Sequence, residues 1–191
     1  NARMDPILRG LGYTKGTVGA RMAALGDDPR FKFPNNDAGR AEVIAAMQGK
    51  IDFIRTKLPL AFRTLVKGNL VIRRLPLAEE AGAPGAYGGA GSIDGTEPGK
   101  IWLNLGNVDR HSRFSVASLA FHEGIPGHVW QGEYANRLPL IRTLLAFNAY
   151  SEGWALYAET LGYEMGLYRD PQQHWGTLDD EMLRAMRLVV D

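Results

Sequence analysis

Four histidines occur in 191 residues, and two of them stand six apart in His122-Glu123-Gly124-Ile125-Pro126-Gly127-His128. A His followed at once by Glu and soon by a second His is the pattern of zinc-hydrolase chemistry. Two neutral imidazoles hold Zn2+, and the carboxylate takes a proton from the water activated there. In the common H-E-x-x-H form the histidines are at i and i+4 and share a helix face. The present spacing rotates the second ring by about 600° on an ideal helix, roughly 120° off the first. An undisturbed helix therefore cannot present both. Pro126 removes a backbone donor and bends the chain, and Gly127 reaches conformations closed to other residues. Together they supply a means of swinging His128 back toward His122.

A zinc hydrolase needs a third protein ligand and an open fourth position. With no cysteine in the chain, His, Asp or Glu must supply it. Glu152, in Ala149-Tyr150-Ser151-Glu152-Gly153-Trp154, opens an apolar stretch of a later helix, and Gly153 leaves space beside it. Glu159 follows two helical turns on, on the same face, where its carboxylate can accept the free N–H of a ligating imidazole. Asn148, one turn before Glu152, is placed for the same task. Tyr150 and Tyr157 are candidate catalytic donors to a transition-state oxyanion. A plainer reading stands beside this one: solvated helix carboxylates, core aromatics, and tyrosines that bond a carbonyl. His111 and His174 are read as surface or structural residues.

These residues must be positioned by helices. Asn36 and Asp37 are good N-cap types, and Val43, Ile44, Met47, Ile51, Ile54 and Leu58 recur at helical spacing until Pro59, predicting an amphipathic helix over 37–58. Asn69 to Leu75 and Lys100 to Leu105 read as strands, the second alternating Ile101, Leu103 and Leu105 against Trp102 and Asn104. The glycine-rich text between them fits a hairpin with an irregular limb or a mobile flap. Helical text runs from Ser115 to Ile125, breaks at Pro126 and Gly127, and resumes over 129–136. A long helix is expected over 144–165. Another starts at Pro171 and runs to the end, with Met182, Leu183, Met186 and Val190 on one side. The first 35 residues read as short helical turns and loop. The fold class is thus predominantly α (α+β), with a small β-hairpin or sheet before the motif helix, in a single domain over 1–191.

Composition narrows the partners. Lys and Arg number 22 against 21 Asp and Glu, 45% of residues are apolar, and no run of like charge offers a grip on nucleic acid. No apolar stretch is long enough to span a bilayer, and the polar opening lacks signal-peptide architecture, which leaves the compartment open. The glycine-rich segment has no strand-GxGxxG-helix context for a nucleotide.

Four segments, AYGGAGSIDGTEPGKIWLNL, FHEGIPGHVWQ, AYSEGWALYAE and RAMRLVVD, resemble in that order the carboxy-terminal half of the bacterial family called domain of unknown function 885. That family is regarded as related to the gluzincins, mostly helical zinc metallopeptidases in which a Glu from a later helix joins two His. The resemblance implies a zincin-like domain with His122 and His128 as ligands, Glu123 as base and Glu152 as third ligand. Two departures stand out. Members often carry a His pair where this chain has His128 followed by Val129, and they continue past RLVVD into a Thr-Gly-x-His stretch. The expectation is therefore a partial catalytic domain that belongs with flanking parts of a longer chain, with apolar helix faces exposed and a tendency to self-associate. The reading is a zinc-dependent hydrolase of metallopeptidase type acting on a peptide or other amide. An extended substrate would pair with Lys100 to Leu105 as an edge strand, under the glycine-rich cover. The alternatives are a noncatalytic helical binding module with an empty or structural metal site, and hydrolysis of an ester or other nonpeptide bond.

Overall fold

The computed structural model of the chain describes residues 2–145, 147–168 and 170–190. Helices α1 (Met4–Gly10) and α2 (Val18–Asp27) come first, then α3 (Asp37–Arg55) and the single turn α4 (Leu58–Ala61). Strands β1 (Leu70–Arg74), β2 (Ala86–Gly89) and β3 (Gly99–Leu103) follow. The second half is helical: α5 (Val116–Leu119), a π-helical turn over Ala120–Gly124, α6 (His128–Ala135), α7 (Ile141–Leu144), α8 (Asn148–Glu164) and α9 (Pro171–Val190). This is the predominantly helical α+β class expected from the sequence.

Asn36 caps α3, its side chain accepting from the Gly39 N–H at 2.9 Å. The helix ends at Arg55, one turn short of Pro59, which instead starts α4. Val43, Met47, Ile51 and Ile54 are fully buried along one stripe, each removing roughly 1.5–3 kcal/mol of apolar side chain from water. They pack against Ile101, Leu103 and Leu105, and against Val116, Ala120, Phe121, Val129 and Trp130 around the histidine motif. The core stripe and the motif are thus two sides of one cluster.

The sheet corrects one expectation. Its order is β1-β3-β2, with β1 parallel and β2 antiparallel to β3. Lys100 to Leu105 is therefore the central strand, with both hydrogen-bonding edges taken, and cannot receive a substrate strand. The alternation read in it holds, since Ile101, Leu103 and Leu105 are all buried. β1 and β2 are the two edge strands, and β2 is formed by the glycine-rich segment. Asn104 fastens the chain leading into it by donating to the carbonyls of Glu80 at 2.7 Å and Ala83 at 3.1 Å.

The amino-terminal text is more ordered than its irregular periodicity suggested. Met4, Leu8, Leu25 and Phe31 make a second cluster with Phe114, Trp175 and Leu178, so contacts across the chain stabilise two helices whose own pattern is weak. On α9 the buried residues are Trp175, Gly176, Thr177 and Leu178, while Leu183, Met186 and Val190 are exposed. The apolar side expected there is real, but only its first turns are covered. Asp191, at the expected end of that helix, lies outside the described residues, as does Ala146 in the helix expected over 144–165. The helix expected over 144–165 is observed as α8, which starts four residues later at Asn148, and α7 reaches the expected range only with Leu144.

Candidate metal centre

His122 and His128 come together although their spacing is wrong for one helix. The π turn holds His122 and Glu123, the chain leaves helical geometry at Ile125, and α6 starts at His128 itself. The Ile125–Pro126 peptide is cis. Gly127 passes so close to the preceding turn that a Cβ there would lie 1.8 Å from the His122 carbonyl oxygen. Only glycine fits. The imidazole rings end 5.0 Å apart, edge to face.

Glu152, on the second turn of α8, completes the group. Its carboxylate lies 3.9 Å from His122 Nε2 and 3.7 Å from His128 Nε2, and one donor atom from each of the three residues falls within 4.8 Å of the others. Ligands of a tetrahedral zinc ion at about 2.0–2.1 Å stand roughly 3.3–3.5 Å apart, so a small inward adjustment brings this set into register. The donors, two imidazole nitrogens and a carboxylate oxygen, are of the types zinc takes. The residues present therefore fit the ion. Gly153 plays no spacing role, since a Cβ there would meet nothing within 4 Å.

Behind the group, Glu159 accepts from His122 Nδ1 at 2.7 Å, which turns Nε2 toward His128 and Glu152. Glu159 is 2% exposed. Arg184 of α9 grips both its oxygens, at 2.9 and 3.3 Å, and Tyr168 donates to its main-chain carbonyl at 3.1 Å. Asn148 does not share this position. It is exposed at the start of α8, and its carbonyl accepts from Ser151 Oγ.

Glu123 is buried beside the histidines, under edge strand β2. Gly88 of that strand lies so close that a Cβ would stand 2.1 Å from the Glu123 carbonyl oxygen. Burial pushes the Glu123 carboxyl above the ordinary range, against the pull of His122 and of the Gly88 backbone. Burial lowers His128, helped by the neighbouring His122 and opposed by Glu152. Burial also lowers His122, but the bond to Glu159 and the charge of Glu123 outweigh it and raise the ring overall.

The two tyrosines fall elsewhere. At 100° per residue Tyr150 and Tyr157 project about 140–180° round α8 from Glu152 and Glu159. They are 68% and 48% exposed, and the Tyr157 ring packs 5.9 Å from Trp154. That rotation places both rings off the face of α8 that carries Glu152 and Glu159. His111 is a buried structural residue bonded to the Asn104 carbonyl at 2.9 Å, and His174 stacks on Tyr163 at 4.3 Å.

Trp154, read from sequence as core, joins two parts of the site: its Nε1 donates to the Pro126 carbonyl at 2.7 Å, tying α8 to the loop between the histidines. Gly88, Trp154 and Arg184 carried no local signal of these contacts, because each partner lies at least 25 residues away in sequence.

The family described as "Bacterial protein of unknown function (DUF885)" matches residues 1–191. The chain belongs to this family. Among solved structures, this DUF885 chain is similar to "the putative lipoprotein from Colwellia psychrerythraea", with a TM-score of 0.91 and 40% identity over 99% of its own length. It covers 33% of that protein, so it spans about a third of its relative. No curated protein matches the chain. Among the described residues no helix is long and apolar enough to cross a membrane.

Proposed function

We propose that this DUF885 chain carries the catalytic centre of a zinc-dependent hydrolase of metallopeptidase type, gluzincin-like in its ligand order, that cleaves peptide or other amide bonds. The observation that supports this reading is the meeting of His122, His128 and Glu152 within 4.8 Å beside the buried carboxylate of Glu123. Zinc held by those three residues would supply Lewis acidity toward the scissile carbonyl and the attacking water. Glu123 then accepts the proton of that water as it adds to the carbonyl and delivers it to the leaving amine, so that acid and amine products balance the water consumed. Glu159 holds His122 in the tautomer that presents Nε2. Of the two edge strands, β2 is the one that lies against Glu123, and it is where an extended substrate would pair.

Metal content of the purified chain after extensive dialysis tests the reading. The expected result is about one zinc per chain, retained by Glu123→Gln and lost with His128→Ala. In a peptide-library assay of the metal-loaded protein, Glu123→Gln is expected to lower cleavage by about 10²–10⁴-fold. An unmodified chain that takes up no metal even when zinc is added would overturn the proposal and give precedence to a noncatalytic helical binding module.

A further inference from the structure

The carboxy-terminal helix contributes no ligand, yet it reaches the metal group through one side chain. Arg184 sits on α9, 62 residues beyond His122, and its guanidinium makes a two-pronged contact with Glu159: Nη2 to Oε1 at 2.9 Å and Nη1 to Oε2 at 3.3 Å. Oε1 is the same oxygen that receives His122 Nδ1 at 2.7 Å. Glu159 is buried and stands near two further carboxylates, Glu123 and Asp180. A buried carboxylate in such company is costly in its charged form unless a cation pairs with it. The planar fork of an arginine fixes both the charge and the plane of the carboxylate, which a point charge does not.

We infer that Arg184 is a positioning residue of the metal centre: it clamps Glu159 in the orientation that makes His122 present Nε2 to the ion. The inference rests on the zinc reading above. It gives the RAMRLVVD segment, whose apolar residues are mostly exposed, a task at the site.

The test is a double-mutant cycle read by zinc affinity, using chelator competition on the 191-residue chain, together with the visible spectrum of the cobalt-substituted protein. Arg184→Met is expected to weaken zinc binding by about 10–100-fold, the range usual for a lost partner of a ligating His. It is also expected to change the cobalt spectrum. Arg184→Lys restores the charge without the fork and is expected to fall between Arg184→Met and the parent. If the methionine variant does not fold, Arg184→Lys carries the test on its own, through a measurable loss of affinity against the parent. In a Glu159→Gln background, substitution of Arg184 is expected to cause no further loss, because its effect runs through Glu159. Unchanged affinity in both Arg184 variants, or a full additional loss in the Glu159→Gln background, overturns the inference while leaving the zinc reading intact. A parent chain that binds no metal overturns both.

Discussion

Gly127 makes the two-histidine arrangement possible, because the His122 carbonyl occupies the space where any side chain would begin. Gly127→Ala should force the loop outward, costing about 1–3 kcal/mol of stability and separating His128 from His122. Urea unfolding and chelator competition measure the two effects; a variant with parental values for both would mean that the loop has slack. Asp180 carries a second prediction, one about pH. Burial, and then the charge of Glu159, push its carboxyl up to about 6 against the opposing Arg184 and Ser118. The folded chain therefore binds this proton more tightly than the unfolded chain, whose carboxyl titrates near the ordinary aspartate value of 3.8. Stability must fall as pH rises through that window and stay lower above it. Asp180→Asn is expected to flatten the difference in unfolding free energy between pH 4.5 and 7 by on the order of 1–3 kcal/mol. The same slope in variant and parent would exclude Asp180 as its source. Residue types were the legible part of this scale. His122, Glu123, His128, Glu152 and Glu159 announced themselves by chemistry and spacing, and the structure brings them together, whereas Tyr150 and Tyr157 lie on another face of α8.

At the scale of elements, the motif works because three different backbone forms succeed one another: α5, the π turn and a fresh helix beginning at His128. Sequence showed that something must break between the histidines and pointed to Pro126 and Gly127. It did not show the π turn, which depends on how Phe121 and Ala120 seat against α3 and α8 in the core. The sheet was legible as strands but not as an order, since pairing is decided by contacts between segments rather than within them, and the strand read as an edge proved central. The link between α8 and the histidine loop rests on Trp154. Trp154→Phe would delete the bond to the Pro126 carbonyl and leave a smaller ring against Phe62 and Tyr157. The expected cost is about 1–3 kcal/mol, from the lost bond and the lost ring volume together, with a several-fold loss of zinc affinity, because α8 carries Glu152. Loss of stability with unchanged affinity would show that the tie supports the fold alone.

Over the whole molecule, the apolar surface is unevenly covered. Leu140, Ile141, Leu144, Leu145 and Phe147 around α7, and Leu188, Val189 and Val190 at the end of α9, are all exposed. Patches of this kind drive association when nothing covers them. The 191-residue chain is expected to self-associate with concentration in analytical ultracentrifugation and to bind a hydrophobic dye. Leu188→Glu with Val189→Lys should reduce both without touching the metal group, and a monodisperse, dye-silent parent would contradict this. One consequence lies in the way α8 begins. Asn148, Ala149, Tyr150 and Glu152 are all exposed, and the helix is buried only from Ala155 onward. On the zinc reading, then, the three ligands differ in tenure. His122 is braced by the buried Glu159, while Glu152 lies on the exposed start of α8, tied to the histidine loop only further along, through Trp154. Metal exchange should proceed by departure of Glu152 first, with a rate set by fraying of that turn. Amide protons at 149–153 should exchange fast in the metal-free chain and slow sharply once zinc is bound.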